Sequence, residues 1–189
     1  MKKTIICDID GTITNMWPIE KAVLLSMTDR KFEKDIEQIK LAGTSDTYKI
    51  FLTCSNQKIS RKQYIDFYDK SFSTLRKTGT LPKPEKYPVA KWIFANRNKY
   101  RFVYATGGRK AETRYALKGL GILKYFDVAN SIDKTACRFS KETGIPFKKI
   151  KMKFKDCVLI SDSRTDCKSA TLARIPCLLV PLEGIASRS

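Results

Sequence analysis

Short apolar segments alternate with amphipathic stretches along most of this 189-residue chain. Near-continuous apolar runs between helices are typical of strands buried on both faces, as in a parallel sheet with helices packed on each side. The pattern therefore predicts an α/β protein with a Rossmann-like parallel sheet. The predicted strands lie within the segments Thr4–Cys7, Tyr100–Gly108, Tyr125–Ser131, Asp156–Ser163 and Ile175–Leu182.

The alternation is interrupted after the first strand. Residues 15–78 place apolar side chains at helical spacing among charges, which predicts a small helical insertion. The proline-rich stretch that follows is interpreted as a linker back to the sheet. We expect a core of residues 1–14 and 79–189 and a helical domain of residues 15–78. Residues 148–155 fit a strand or a short helix, and a helix is favoured because a strand would break the alternation.

Composition excludes several classes of protein. The chain has no apolar run long enough for a membrane span and no apolar secretion signal near its first residue. Its six cysteines form no Cys-x-x-Cys pair, so we expect reduced thiols in the cytoplasm. The absence of histidine excludes Ser-His-Asp, Cys-His and zinc-histidine chemistry, so acid–base catalysis has to use carboxylates, Lys, Tyr or Cys.

The formal net charge of +18 has two interpretations. It attracts polyanions such as nucleic acid, or it is a basic surface that solvent covers. Because no known nucleic-acid motif accompanies the charge, we expect only weak, nonspecific nucleic-acid binding. The most basic stretch runs from Lys134 to Lys155, with eight Lys or Arg residues and one acidic residue.

Polar residues follow three of the predicted strands at the point where each strand ends. Asp8 and Asp10 follow the first, Thr106-Gly107-Gly108 the second, and Asp162 and Asp166 the fourth. The carboxyl ends of parallel strands meet at one edge, so these groups are expected to converge there. If the first strand continues to Asp10, its two carboxylates share one face and need a metal ion or a shared proton to relieve their repulsion.

The order of these motifs resembles the haloacid dehalogenase superfamily. In this sequence the Asp8-Ile9-Asp10-Gly11-Thr12 motif, the strand-terminal Thr106, a lysine, and the Asp162-Ser163-Arg164-Thr165-Asp166 motif follow one another as they do in that superfamily. The helical insertion resembles the α-helical cap of its phosphoglycolate-phosphatase-like members. The resemblance covers essentially the whole chain and implies a parallel α/β core with a helical cap inserted after the first strand.

The resemblance also implies a mechanism. Asp8 would be the nucleophile and would form an aspartyl-phosphate, while Asp10 would act as general acid and base. Mg²⁺ would be held by the Asp8 carboxylate, the Asp10 backbone carbonyl and Asp162. Asp166 would lie near the waters of the metal or would orient the lysine.

Substrate contacts follow from the same resemblance. Thr106 and the Gly107 amide would bind phosphoryl oxygens, with Gly108 beside them. Arg109 would reach a distal anion of the substrate or would lie at the surface. A glycine usually precedes the last motif, and Ser161 stands there instead.

Two lysines are candidates for the catalytic cation. The superfamily places this residue about a dozen positions beyond a Phe-Asp pair, here Phe126-Asp127. Lys141 is fourteen residues beyond Asp127 and Lys134 is seven, so Lys141 is favoured. The Lys-Pro pair common in the superfamily is missing.

The favoured function is hydrolysis of a small phosphorylated metabolite, because a lid made by the helical insertion would exclude a polymer. Dehalogenation does not need Asp10, and phosphonate cleavage needs a cap lysine, for which Lys21, Lys31 and Lys34 are candidates. A mutase, a nucleic-acid 3′-end phosphatase and a non-catalytic binding protein stay open, as does the oligomeric state.

Overall fold

The computed structural model describes residues 2–28, 30–44, 46–134, 136–137 and 139–181. Four strands are present in this part of the chain: β1 (Thr4–Cys7), β2 (Arg101–Tyr104), β3 (Cys157–Ser161) and β4 (Cys177–Leu179). The helices are α1 (Trp17–Met27), α2 (Glu33–Leu41), α3 (Thr47–Ser55), α4 (Arg61–Lys77), α5 (Pro88–Asn96), α6 (Lys110–Gly119), α7 (Ile145–Lys153) and α8 (Arg164–Thr171).

The four strands form one parallel sheet in the order β2-β1-β3-β4. The central strand β1 pairs Cys7 with Tyr104 of β2 on one side and with Ile160 of β3 on the other. All four residues of β1 are buried, as expected for a strand covered on both faces. The predicted α/β fold with a Rossmann-like parallel sheet is confirmed.

The chain divides into two compact units, Met1–Met16 with Pro84–Ser189, and Trp17–Lys83. The first contains the sheet and α5 to α8. Its core packs strand residues such as Ile6, Val103 and Leu159 against Phe147 and Ile150 of α7. This packing also explains why residues 148–153 are helical: Pro146 starts α7, and helical spacing buries Phe147 and Ile150 together.

The second unit contains α1 to α4. Its centre includes aromatic pairs at tilted angles, with the Tyr64 ring 5.4 Å from Phe51 and 5.7 Å from Tyr68. The long helix α4 begins at Ser60, whose hydroxyl accepts from the Gln63 N–H while the Gln63 side chain accepts from the Ser60 N–H. The assignment of the first unit as the core domain and of the second as the cap domain stays a prediction.

The prediction of a strand within Tyr125–Ser131 is wrong. This segment makes one isolated bridge to β2, between Phe126 and Phe102. Its middle is a 3-10 turn, Val128–Asn130, because polar side chains bond locally. The Asn130 amide donates to the Asp127 carboxylate and the Ser131 hydroxyl donates to the Asp127 carbonyl, which competes with a strand ladder.

The prediction of six reduced thiols is wrong for one pair. Cys167 of α8 and Cys177 of β4 form a disulfide, with their Cα atoms 5.2 Å apart. The chain turns back between α8 and β4, which brings positions ten residues apart into bonding range. The other four cysteines, Cys7, Cys54, Cys137 and Cys157, are free and buried.

No helix among the described residues is both long and apolar enough to cross a membrane.

Candidate active site

Asp8 lies at the carboxyl end of the central strand, between its two neighbours. Its backbone N–H donates to Ile160 of β3 at 3.0 Å, and the Ala105 N–H beyond β2 donates to the Cys7 carbonyl at 3.0 Å. These bonds hold the Asp8 backbone between two strand ends, and only 5% of the residue is exposed. A carboxylate placed here is held rigidly by the sheet.

Asp10 has a different environment, because β1 ends at Cys7. The chain turns after Asp8, Gly11 has a φ of +75°, and the Asp10 side chain is exposed. One Asp10 carboxylate oxygen accepts from the Met16 N–H at 2.8 Å, which fixes the turn. The expectation that the Asp8 and Asp10 carboxylates share one face of a strand is therefore wrong. One carboxylate is buried and the other faces solvent.

Lys141 neutralises the buried carboxylates. Its ammonium nitrogen lies 2.8 Å from Asp8 Oδ1 and 2.5 Å from Asp166 Oδ2. It stands in a 3-10 turn, Lys141–Thr143, that Ser140 starts and Gly144 ends with a left-handed backbone. The turn packs against α8, the helix that carries Asp166, since a Cβ on Gly144 would lie 3.0 Å from the Ser169 carbonyl.

The alternative lysine lies elsewhere. The Lys134 side chain is exposed, and its contact near the site is a backbone one, from its N–H to the Gly108 carbonyl at 3.1 Å. Among the described residues, the structure thus brings Lys141 rather than Lys134 to Asp8. The role of Lys141 in catalysis stays a prediction.

Ser161 contacts the buried carboxylates of Asp166 and Asp8, which the sequence did not predict. It is fully buried, and its hydroxyl lies 3.1 Å from Asp166 Oδ2 and 3.4 Å from Asp8 Oδ2. The hydroxyl also accepts from the Ser163 N–H at 3.1 Å. A hydroxyl has one proton, so it donates to Asp166 at the shorter distance. The departure from glycine at this position was the signal for this contact.

Burial and charge act in opposite directions on this cluster. Burial raises the pKa of Asp8 to about 7, the Lys141 cation opposes that rise, and the Asp166 charge adds to it. Burial alone would lower the pKa of Lys141, but the carboxylates of Asp8 and Asp166 outweigh burial and raise it. Lys141 is therefore a permanent cation at neutral pH.

Thr12 and Gly11 position Asp162. The Thr12 hydroxyl donates to Asp162 Oδ1 at 2.8 Å and accepts from the Asp162 N–H at 3.0 Å. A Cβ atom on Gly11 would lie 2.3 Å from Asp162 Oδ2, so only glycine leaves room for this carboxylate. The first and last motifs thus meet through direct contacts.

The segment Thr106-Gly107-Gly108 lies between β2 and α6. The Thr106 hydroxyl accepts from the Gly108 N–H at 3.0 Å, which leaves its own proton for a substrate oxygen. The Gly107 N–H bonds to no described residue, and a Cβ there would meet nothing within 4 Å. Two donors at a helix start favour a phosphoryl group.

Arg109 is the residue before the first turn of α6. Its N–H donates to the Glu112 carboxylate at 3.2 Å, and its side chain is half-buried. This contact starts the helix. The contact of Arg109 with a distal anion of the substrate stays a prediction.

The oxygen atoms near Asp8 fit a magnesium ion. Within the described ranges no group of three or more Asp, Glu, Cys or His side chains is arranged to hold a metal. Magnesium needs fewer, since one or two carboxylates with waters and substrate phosphate suffice. Asp162 Oδ2 accepts no hydrogen bond from a described residue, so this oxygen is available to a cation. Asp8 and Asp162, with the Asp10 carbonyl, are the oxygen ligands that this chain would supply.

Open parallel α/β sheets bind ligands at the carboxyl ends of their strands, and a buried aspartate there is a candidate nucleophile. A family model described as haloacid dehalogenase-like hydrolase matches residues 2–174. The chain therefore belongs to the haloacid dehalogenase-like hydrolases and is an enzyme, and the family inferred from its motifs is confirmed.

Solved structures share this fold at low sequence identity. A haloacid dehalogenase hydrolase of family IA from Entamoeba histolytica is 15% identical, with a TM-score of 0.68 over 100% of this chain and 86% of that one. CbbY from Rhodobacter sphaeroides, solved with phosphate, is 17% identical, with a TM-score of 0.67 over 96% and 87%. YfnB from Bacillus subtilis, solved with magnesium, is 13% identical, with a TM-score of 0.68 over 95% and 88%. No curated protein sequence matches significantly.

Gly11→Ala should disrupt the site, while Gly43→Ala provides a matched control. Both glycines have positive φ, so either change costs about 1–2 kcal/mol of backbone strain. Only at Gly11 would the new Cβ meet Asp162, since nothing lies within 4 Å of a Cβ on Gly43. We expect Gly11→Ala to lower kcat by about 100-fold or more through misplacement of Asp162. Equal kcat values in the two variants, measured after their stability by thermal melting, would contradict this packing.

Asp8 should make the metal-free protein less stable as the pH rises. Its folded pKa of about 7 lies above the ordinary aspartate value of about 3.9. Between these values the folded chain holds a proton that the unfolded chain has lost, so this stabilisation is complete below about pH 4 and is lost by about pH 7.

The thermal melt of Asp8→Asn in EDTA measures this effect. The asparagine cannot ionise, so the Tm of the variant minus that of the unchanged protein should increase from about pH 5 to about pH 8. A difference that stays constant over this range would show that Asp8 has an ordinary pKa in the folded state.

Proposed function

We propose that this hydrolase cleaves phosphomonoesters of small metabolites, that it depends on magnesium, and that it forms an aspartyl-phosphate on Asp8. The observation that supports the proposal most is the placement of Lys141 against both Asp8 and Asp166 at the strand ends. A cation there compensates the charge that accumulates when a carboxylate approaches a phosphate dianion.

In the first step an Asp8 oxygen attacks phosphorus, and the bond from phosphorus to the leaving oxygen breaks. Asp10 gives its proton to that oxygen, which its exposed position in the turn allows. Thr106 and the Gly107 N–H donate hydrogen bonds to the phosphoryl oxygens. Magnesium, when bound, supplies charge neutralisation between the nucleophile and the phosphoryl group.

In the second step water attacks the phosphorus of the aspartyl-phosphate. The Asp10 carboxylate takes a proton from this water, and the bond between phosphorus and the Asp8 oxygen breaks. Inorganic phosphate leaves and Asp8 returns as a carboxylate. The Asp166 carboxylate holds the Lys141 ammonium in position, and the Ser161 hydroxyl holds Asp166. The positive charge of Lys141 therefore has the same position in both steps.

Other reactions of the superfamily fit the contacts less well. Dehalogenation leaves Asp10 without a role. Phosphonate cleavage needs a neutral cap lysine, but Lys21 lies 2.7 Å from both Glu33 and Glu37, and these hydrogen bonds raise its pKa. A mutase would use the same residues as a phosphatase, and release of inorganic phosphate distinguishes the two.

The proposed substrate class rests on the resemblance to the superfamily, and the proposed location rests on the cysteines. The helical unit Trp17–Lys83 corresponds to the part of the superfamily that selects substrates, which favours a small phosphorylated metabolite over a polymer end. The cytoplasm is the proposed location, which the four free cysteines favour and the Cys167–Cys177 disulfide opposes.

Hydrolysis should require both Asp8 and magnesium. Phosphate-monoester hydrolysis is among the slowest uncatalysed reactions, so loss of the nucleophile should remove nearly all turnover. Asp8→Asn should fold and yet release phosphate from p-nitrophenyl phosphate at the background rate, as should the unchanged protein in excess EDTA. Normal turnover in either case would refute the mechanism. A panel of phosphorylated metabolites and a 3′-phosphorylated oligonucleotide, assayed together, then tests the substrate class.

Lys141→Ala should lower kcat far more than Lys134→Ala. Removing Lys141 leaves Asp8 and Asp166 as uncompensated neighbours, and loss of one preorganised charge costs about 100-fold or more in kcat. Lys134 is the matched control because it is an exposed lysine whose side chain contacts neither carboxylate. The opposite ranking in steady-state kinetics would reassign the catalytic cation.

A further inference from the structure

A second surface of the sheet-containing unit carries chemistry that phosphoester hydrolysis does not use. We call it the aromatic–basic surface and define it by Trp92, Phe94, Arg97, Lys99, Lys124 and Tyr125. It lies where α5 leads into β2 and where the 3-10 turn Leu123–Tyr125 runs beside that strand. Tyr100, which Trp92 contacts, precedes β2, whereas Thr106 follows it. The surface is thus at the opposite edge of the sheet from the active site.

Two large aromatic side chains are exposed here. Trp92 is 36% exposed and Phe94 is 51% exposed, although buried positions are usual for such side chains. The Trp92 ring stacks on Tyr100, with centroids 5.6 Å apart and 24° between the planes. Phe94 meets the Tyr125 ring edge-on at 5.9 Å. Each exposed ring therefore contacts a tyrosine, Trp92 by stacking and Phe94 by an edge-on contact.

Cations flank both aromatic pairs. The Arg97 guanidinium lies 4.6 Å from the Phe94 ring centroid and 5.9 Å from that of Tyr125. The ammonium of Lys99 lies 5.2 Å from the Tyr100 ring, and that of Lys124 lies 5.3 Å from the Tyr125 ring. These contacts hold positive charge next to flat apolar faces.

The surface has little negative charge to balance these cations. Residues 86–101 contain five Lys or Arg residues and no Asp or Glu. Asp127, which follows Tyr125 by two positions, is an acidic residue next to this surface, and its carboxylate accepts a hydrogen bond from the Asn130 amide. The cations of residues 86–101 outnumber it, so the surface favours an anionic partner.

We propose that the aromatic–basic surface binds single-stranded nucleic acid. Unpaired bases stack on aromatic rings irrespective of sequence, and phosphates pair with adjacent cations. The two supported aromatic rings and their flanking cations offer both contacts. This proposal accounts for part of the +18 charge and is independent of the reaction at Asp8.

The most basic stretch of the sequence, Lys134–Lys155, offers fewer exposed rings. Its Phe147 is 0% exposed and its Phe154 is 7% exposed, so neither ring can receive a base, whereas its Phe139 is 41% exposed. We expect this stretch to add mainly general electrostatic attraction.

Fluorescence anisotropy of a labelled oligothymidine of about 12 nucleotides tests the proposal with the full-length chain. A duplex of the same length and an acidic polypeptide serve as competing ligands. We expect the single strand to bind at least about fivefold more tightly than the duplex, because only unpaired bases stack. Its log Kd should vary with log salt with a slope of about 0.7 per phosphate contacted.

Paired variants separate stacking from charge. Phe94→Leu keeps an apolar side chain and removes the ring, so the single strand should bind about fivefold or more weakly with an unchanged salt slope. Trp92→Leu should act in the same way. Arg97→Gln and Lys124→Gln should each reduce the salt slope. Thermal melting shows whether each variant is folded, and Phe94→Leu, the more exposed position, decides the result if Trp92→Leu is unstable.

Matched controls lie outside the surface. Phe67 on α4 is 37% exposed, and Lys168 is an exposed lysine on α8, which packs beside β4 at the far edge of the sheet. Phe67→Leu and Lys168→Gln should leave binding within about twofold of the unchanged chain, as expected when no stacking contact is removed.

Three results would overturn the proposal. Equal affinity for duplex and single strand would remove the stacking argument, and tighter binding of the acidic polypeptide would assign the surface to a protein partner. Loss of binding in Lys148→Gln with Lys149→Gln, with no effect of Phe94→Leu, would move the contact to the Lys134–Lys155 stretch.

Discussion

The ion cluster of Lys141 with Asp8 and Asp166 is the interaction on which the active-site edge of this protein depends. Two carboxylates that are buried at the ends of β1 and α8 would repel each other, and burial alone would favour their protonated forms. One ammonium group within 2.8 Å of both relieves this repulsion. The same group provides a fixed positive charge where a phosphoryl group would develop negative charge.

The local structure around the cluster follows from this requirement. Lys141 lies in a turn that packs against α8, since a Cβ on Gly144 at the end of the turn would meet the Ser169 carbonyl and Leu172. Ser161 holds Asp166 from the side of β3. The cluster is therefore supported by a strand, a helix and a turn. A change in the position of any one of them would alter the contacts of Asp8.

The two carboxylates of the first motif illustrate how backbone geometry assigns different chemistry to the same side chain. Asp8 is held in the sheet, where burial raises its pKa and Lys141 opposes the rise. Asp10 is two residues further on but beyond the strand end, in a turn that Gly11 permits, and it is exposed. In the proposed mechanism the nucleophile needs a fixed position, and the acid–base group needs access to the leaving oxygen and to water. The turn between Asp8 and Asp10 provides both environments.

The sequence by itself determined the parallel α/β class, four of the strands and the helical insertion, because apolar periodicity reports burial directly. It also indicated the convergence of Asp8, Asp162 and Asp166, since parallel strands end at one edge. The sequence favoured Lys141 over Lys134, and tertiary structure brought Lys141 to Asp8. Tertiary structure alone decided that Ser161 contacts Asp166 and that Cys167 pairs with Cys177, because these distances depend on how loops and helices pack. Tertiary structure also decided that Tyr125–Ser131 is not a strand. Its apolar pattern resembles that of a strand, but local hydrogen bonds of Asp127 and Asn130 favour a 3-10 turn.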